Sequence, residues 1–214
     1  MRVEQPEGTR GSLKWIQRAI ERRPDLVSVP SIGPVEWLSP RRNDSFAEYR
    51  DTAFLERIGC GTLADELAAF WPKRGPQWDA LGRAGNTVIL VEAKAHLNEV
   101  LSPGSQASAS SRAKINAAFA EVKRDLNVIE RADWAEVFFQ YVNRLAHLWF
   151  LRRHGVDVEL LFVDFCHDAE MAGPAEPAEW KAVYMAADYV LGLPRRHGLS
   201  GHVHHVFPDV RELA

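Results

Sequence analysis

Gly75-Pro-Gln-Trp-Asp79-Ala-Leu-Gly-Arg-Ala-Gly85-Asn86-Thr-Val-Ile-Leu-Val-Glu92-Ala-Lys94-Ala-His96 is two strand-like runs about a short turn. Gly-Asn is a two-residue hairpin loop that accepts positive φ, so Ala84 is expected to pair with Thr87. That register sets Asp79 opposite Glu92. Residues so opposed in an antiparallel pair have Cβ atoms roughly 4.5–5.5 Å apart, near enough for two acids to share one cation. Sliding the loop back by one residue would instead pair Asp79 with Leu90, leaving Glu92 diagonal on the same face. A three-residue loop would need a bulge to recover the pairing.

The second run is apolar until Glu92, Lys94 and His96. Alternate strand residues share a face, so Glu92 and Lys94 project together. A charge removed from water costs several kcal/mol unless paired, and a metal ion held by acids beside a lysine meets that requirement. An Asp-Lys-Glu ion-pair network that only ties a sheet together is the competing explanation. Oxygen donors select a hard cation, Mg²⁺ or Mn²⁺. Asp79, Glu92 and the Ala93 carbonyl are the candidate ligands of such a cation. Lys94 sets a compact positive charge beside them.

An aspartate on one strand followed by Glu-x-Lys on the next resembles the PD-(D/E)XK nuclease superfamily, with its restriction-endonuclease-like fold. The matching residues are Asp79, Glu92 and Lys94, and the order of elements extends the likeness over roughly residues 46–166. The proline, Pro76, stands three before the aspartate instead of beside it. The resemblance implies a divalent-metal-dependent nuclease acting on nucleic acid, DNA foremost, with a mixed central sheet flanked by helices in an α/β/α arrangement. It also implies further contributors. Some branches carry an acid on the helix before the aspartate strand, which makes Glu66 a candidate, and a later helix often supplies a glutamine, arginine or tyrosine. Here that helix offers Gln140 and, four residues on, Arg144 where a tyrosine would match more closely. Each has a plainer reading: Glu66 as a boundary residue of its helix, Gln140 and Arg144 as surface ion-pairing groups.

Around this centre, periodicity and turn signals predict helices at about Ser12–Arg23, Phe46–Ile58, Thr62–Trp71 with Thr62 capping, Arg112–Asn127, Trp134–Arg153 and Ala178–Leu191. The nearly all-apolar Val158–Cys166 reads as a central strand, and Gly201–Phe207 as a last one. Leu101–Ser111, small and polar, reads as a loop that either closes over substrate or merely connects. Arg112, Lys114, Lys123 and Arg124 would suit phosphates, or a solvated helix face. Residues 1–45 form a helix and a Pro-rich wrapping segment, and 46–214 the nuclease-like domain, in one compact unit.

At 214 residues and 46% hydrophobic, the chain can bury a large core without disulfides. Cys60 and Cys166 lack metal-ligand spacing. No membrane-length apolar run or signal sequence is visible, so the chain reads as cytoplasmic. A formal net charge of −3 disfavours a strong freestanding nucleic-acid binder and favours weak or partner-assisted substrate binding. Two rivals stand beside the nuclease. One is a zinc site built from His202, His204 and Asp209 within a group that includes His197 and His205. The other is an accessory or protein-interaction domain in which Asp79, Glu92 and Lys94 are vestigial.

Overall fold

The computed structural model describes residues 1–213. In chain order its elements are β1 (Arg2–Val3), α1 (Gly11–Arg22), β2 (Glu36–Ser39), β3 (Glu48–Tyr49), α2 (Thr52–Arg57), α3 (Ala64–Phe70), β4 (Ala80–Ala84), β5 (Thr87–Lys94), α4 (Ala109–Asp125), α5 (Phe139–Arg153), β6 (Val158–Asp164), α6 (Pro177–Leu191) and β7 (Val203–Val206). A five-stranded mixed sheet runs β2-β4-β5-β6-β7, and β1 pairs with β3 apart from it. β2, β4 and β5 are antiparallel neighbours, whereas β6 and β7 join in parallel after helical crossovers.

The β4–β5 ladder runs from Ala84↔Thr87 to Ala80↔Val91, the register expected from the Gly85-Asn86 loop. Only Gly85 adopts positive φ, at 59°, as a type II′ turn requires of its first central residue. Alternation then divides β5 between two cores. Val88 and Leu90 pack on one face among α2 to α6, while Ile89, Val91 and Ala93 pack on the other beneath Trp15, Ile16, Ala19 and Ile20 of α1. β6 divides in the same way, with Leu160 and Phe162 against Leu161 and Val163, so it is apolar throughout because both faces are covered. The first 45 residues thus supply the helix over one face and the edge strand β2.

Three helix expectations change. Phe46–Ile58 is not one helix: Phe46 (φ 47°) and Asp51 (φ 54°) are left-handed, and between them β3 pairs with β1. Thr62 caps nothing; the chain enters α3 through a 3₁₀ turn at Gly61–Leu63. The long helix begins at Phe139 because Phe138 is left-handed at φ 50°, although Trp134 remains in the core with its Nε1 donating to Leu191 O at 2.9 Å.

Candidate active cleft

The site begins where the hairpin stops. The ladder ends at Ala80↔Val91; Asp79, expected opposite Glu92, lies in a bend outside it, and two steps on Trp78 would be the partner of Ala93, but its N–H donates instead to Tyr49 O at 3.1 Å. Ala93 N–H is left facing an open strand end, and the Asp79 carboxylate accepts it through Oδ2 at 2.7 Å. Backbone N–H and C=O of one strand residue point the same way, so the Ala93 carbonyl turns toward this side too. Asp79 is thereby docked on β5 between the positions of Glu92 and Lys94.

Glu92 and Lys94 lie on the β5 face that α5 covers, and their side chains form an ion pair. Glu92 is only 2% exposed, and its second oxygen accepts from Arg144. The Arg144 guanidinium also donates to Gln77 O at 3.0 Å and lies over the Trp78 ring, 5.0 Å from its centroid. Lys94 Nζ donates further to Gln140 Oε1 at 2.8 Å. Gln140 and Arg144, four apart on α5, therefore reach the two charged residues of β5 together. Arg144 is buried, not a surface ion-pairing group.

Burial favours protonation of every acid here, and the neighbours decide the outcome. For Glu92, Arg144 and then Lys94 outweigh burial and hold the carboxyl below its ordinary range. Asp79 is pushed well above that range by burial and by the charges of Glu92 and Glu48, against weaker opposition from Lys94 and the Ala93 N–H. Glu48 is likewise raised by burial, opposed by hydrogen bonds from Gln77 and Gln5.

These groups line a cleft of about 570 Å³. Its rim includes Ser102 to Gln106, so the expected loop does border the site. It is tied down by Ser105 N–H to Ala135 O (2.8 Å), Gln140 N–H to Ser102 Oγ (3.0 Å) and Arg112 to Ser105 O (3.1 Å). Glu66 is exposed on α3 and lies outside the cleft lining. A third acid that does line the cleft is Glu48, 5% exposed, which the helix expected over Phe46–Ile58 concealed. Its neighbours Ala47 and Tyr49 are both core residues.

Other charged groups are engaged elsewhere. Arg112 pairs with Asp133 and Glu136, Lys114 donates to Ala68 O and Lys123 pairs with Glu130. His202 and His204 both meet Glu159, at 2.9 and 2.7 Å, whereas Asp209 pairs with Arg211 and His167. The expected grouping of His202 and His204 with Asp209 is therefore not formed.

Among the described residues, no three His, Cys, Asp or Glu side chains converge as a metal centre. The cleft nevertheless offers crowded carboxylates in Asp79, Glu92 and Glu48, whose mutual repulsion a cation would relieve. Ala93 N–H engages Asp79 through Oδ2. A hard cation that keeps most of its water and takes one or two carboxylates fits this donor set. Among the described residues, no helix is long and apolar enough to cross a membrane. Comparisons with known protein families, curated proteins and solved structures returned no match.

Proposed function

We propose that this cleft hydrolyses phosphodiester bonds of nucleic acid, DNA foremost, as a Mg²⁺- or Mn²⁺-dependent nuclease of the restriction-endonuclease-like PD-(D/E)XK class. One observation carries the reading: the Asp79 carboxylate is fastened to Ala93 N–H, between Glu92 and Lys94, and all of them line a single cleft. Asp79, Glu92 and the Ala93 carbonyl would hold the cation, with Glu48 as a nearby acid. When bound, the cation supplies charge neutralisation at phosphate and a lowered pKa for water.

Lys94 brings a compact positive charge to the same point and can orient the attacking water. Gln140 steadies its ammonium, and Arg144 acts through Glu92 by keeping that carboxylate ionised and aimed. The engaged cations of α4 and the net charge of −3 support partner-assisted binding of substrate.

A second reading, an inactive nuclease-like accessory or protein-interaction domain, is favoured by one feature: Lys94 and Arg144 already satisfy both oxygens of Glu92. Cleavage of single- and double-stranded DNA and RNA with Mn²⁺, wild type against Lys94→Ala and Asp79→Ala, decides between them. Loss of cleavage in both variants is expected. Equal cleavage by all three proteins refutes the site, and a wild type that neither cuts nor binds Mn²⁺ by calorimetry favours the accessory domain.

A further inference from the structure

A second groove, of about 980 Å³, lies between α6 and the end of β7. Its lining is chiefly aromatic and apolar, with Tyr184, Met185 and Tyr189 of α6 facing Phe207. Met185 is 70% and Tyr189 69% exposed, so large apolar surface stands open to solvent. Cations accompany the rings. Lys181 Nζ lies 5.3 Å from the Phe207 centroid, the Arg131 guanidinium 4.1 Å from that of Tyr189, and Arg195 also lines the groove. At the floor, His205 stacks between Phe162 and Phe207 and is fixed by its Nδ1 on Asp164 Oδ2 at 2.9 Å. Positive groups gathered on aromatic faces, in a chain of net charge −3, call for an anionic occupant with flat apolar surfaces.

The groove is also near the catalytic cleft. Lys94 is the ladder partner of Asp164, which holds His205 of the next strand. Two strand spacings, roughly 10 Å, separate β5 from β7. Between the two, the first turn of α5 contributes to both sides: Gln140 bonds Lys94, while the Tyr141 hydroxyl donates to Asp188 of the groove at 2.9 Å.

We infer that the α6–β7 groove binds a single-stranded segment of polynucleotide, with bases stacked on Tyr189 and Phe207 and phosphates met by Lys181 and Arg195. The inference rests on the nuclease reading for its choice of polymer, and it gives that enzyme a preference for ends or unpaired regions. Bases of any identity stack on aromatic side chains, so the groove reads strandedness and not sequence.

The test is fluorescence anisotropy of labelled oligo-dT, oligo-U and a duplex of equal length with the full chain in EDTA, where metal-dependent cleavage is suppressed. Wild type should bind both single strands more tightly than duplex. Tyr189→Ala should weaken single-strand binding about 5- to 150-fold, and Lys181→Glu should weaken it and flatten its salt dependence. Both positions are exposed, and thermal melts matching wild type verify the fold. Unchanged affinity in both variants overturns the inference, as does equal sensitivity for duplex, or self-association that Tyr189→Ala abolishes. Mn²⁺-dependent cleavage with unchanged binding in the variants rejects the groove alone. Binding that the variants weaken, with no cleavage by wild type, rejects the catalytic reading alone.

Discussion

Glu92 and Asp164 stand toward the same ends of neighbouring strands, on the same face of the sheet, and are 2% and 0% exposed. Their pKa values move in opposite directions. Glu92 is gripped by two permanent cations, Lys94 and Arg144, which hold its pKa down despite burial. Asp164 accepts from the Tyr184 hydroxyl at 2.8 Å and is bonded to the His205 ring, and burial prevails in pushing its pKa up. Depth alone therefore does not set the direction in which a carboxyl's pKa moves; the kind of partner does. The carboxyl whose pKa is held down is the one in the cleft where cation and phosphate chemistry is proposed.

The largest expected break in this contrast is catalytic. Lys94→Ala should lower the cleavage rate about 10²- to 10⁴-fold, the range of a lost proton-transfer or water-orienting group. Asp164→Asn, altering the other carboxylate, should leave the rate close to wild type. Similar losses in both would erase the distinction.

Next comes stability. Arg144→Leu strands Glu92 with one cation and should lower the unfolding free energy in urea by about 3–5 kcal/mol. Tyr184→Phe removes one hydrogen bond from Asp164 and should cost about 1–3 kcal/mol in the same measurement. If Tyr184→Phe proved as damaging as Arg144→Leu, the two carboxylates would not be held by bonds of different strength.

The smallest effect is a pH dependence. Asp79 has a raised native pKa, so the native state keeps a proton that the unfolded chain releases, and stability drains away as pH climbs from the ordinary carboxylate range through that raised value. Glu92, with a lowered pKa, contributes above the ordinary range and loses that contribution as pH falls through its native value. Asp79→Asn keeps an oxygen for Ala93 N–H without the charge. Its urea midpoint should match wild type in acid and exceed it near neutrality, and a gap that stays constant with pH contradicts the assignment.

Residues 80–94 are the most legible part of the chain, since alternation and a Gly-Asn turn are local and leave few registers open, whereas Asp79 departs from its expected place opposite Glu92 because the ladder ends at Ala80↔Val91. β6 was readable for a similar reason, its two covered faces demanding an unbroken apolar run. Glu48 was not, because a two-residue strand between left-handed Phe46 and Asp51 has no period to detect. Arg144 is a candidate by helical spacing, but its burial depends on α5 packing that side chain inward, a long-range outcome absent from the spacing. Glu66 rests on family likeness instead of packing, and its helix turns it to solvent.

The amino-terminal arm has a bearing on all of this. Its two ladder pairs, Arg2↔Tyr49 and Val3↔Glu48, and the Gln5 Nε2 bond to Glu48 at 3.0 Å are what clasp that acid from outside. So short a ribbon is among the first segments to open in local fluctuations, well below the free energy of global unfolding. Amide exchange at Val3 and Glu48 should therefore run ahead of β5, so the wall of the cleft that Glu48 forms is expected to loosen before the strand that carries Glu92 and Lys94.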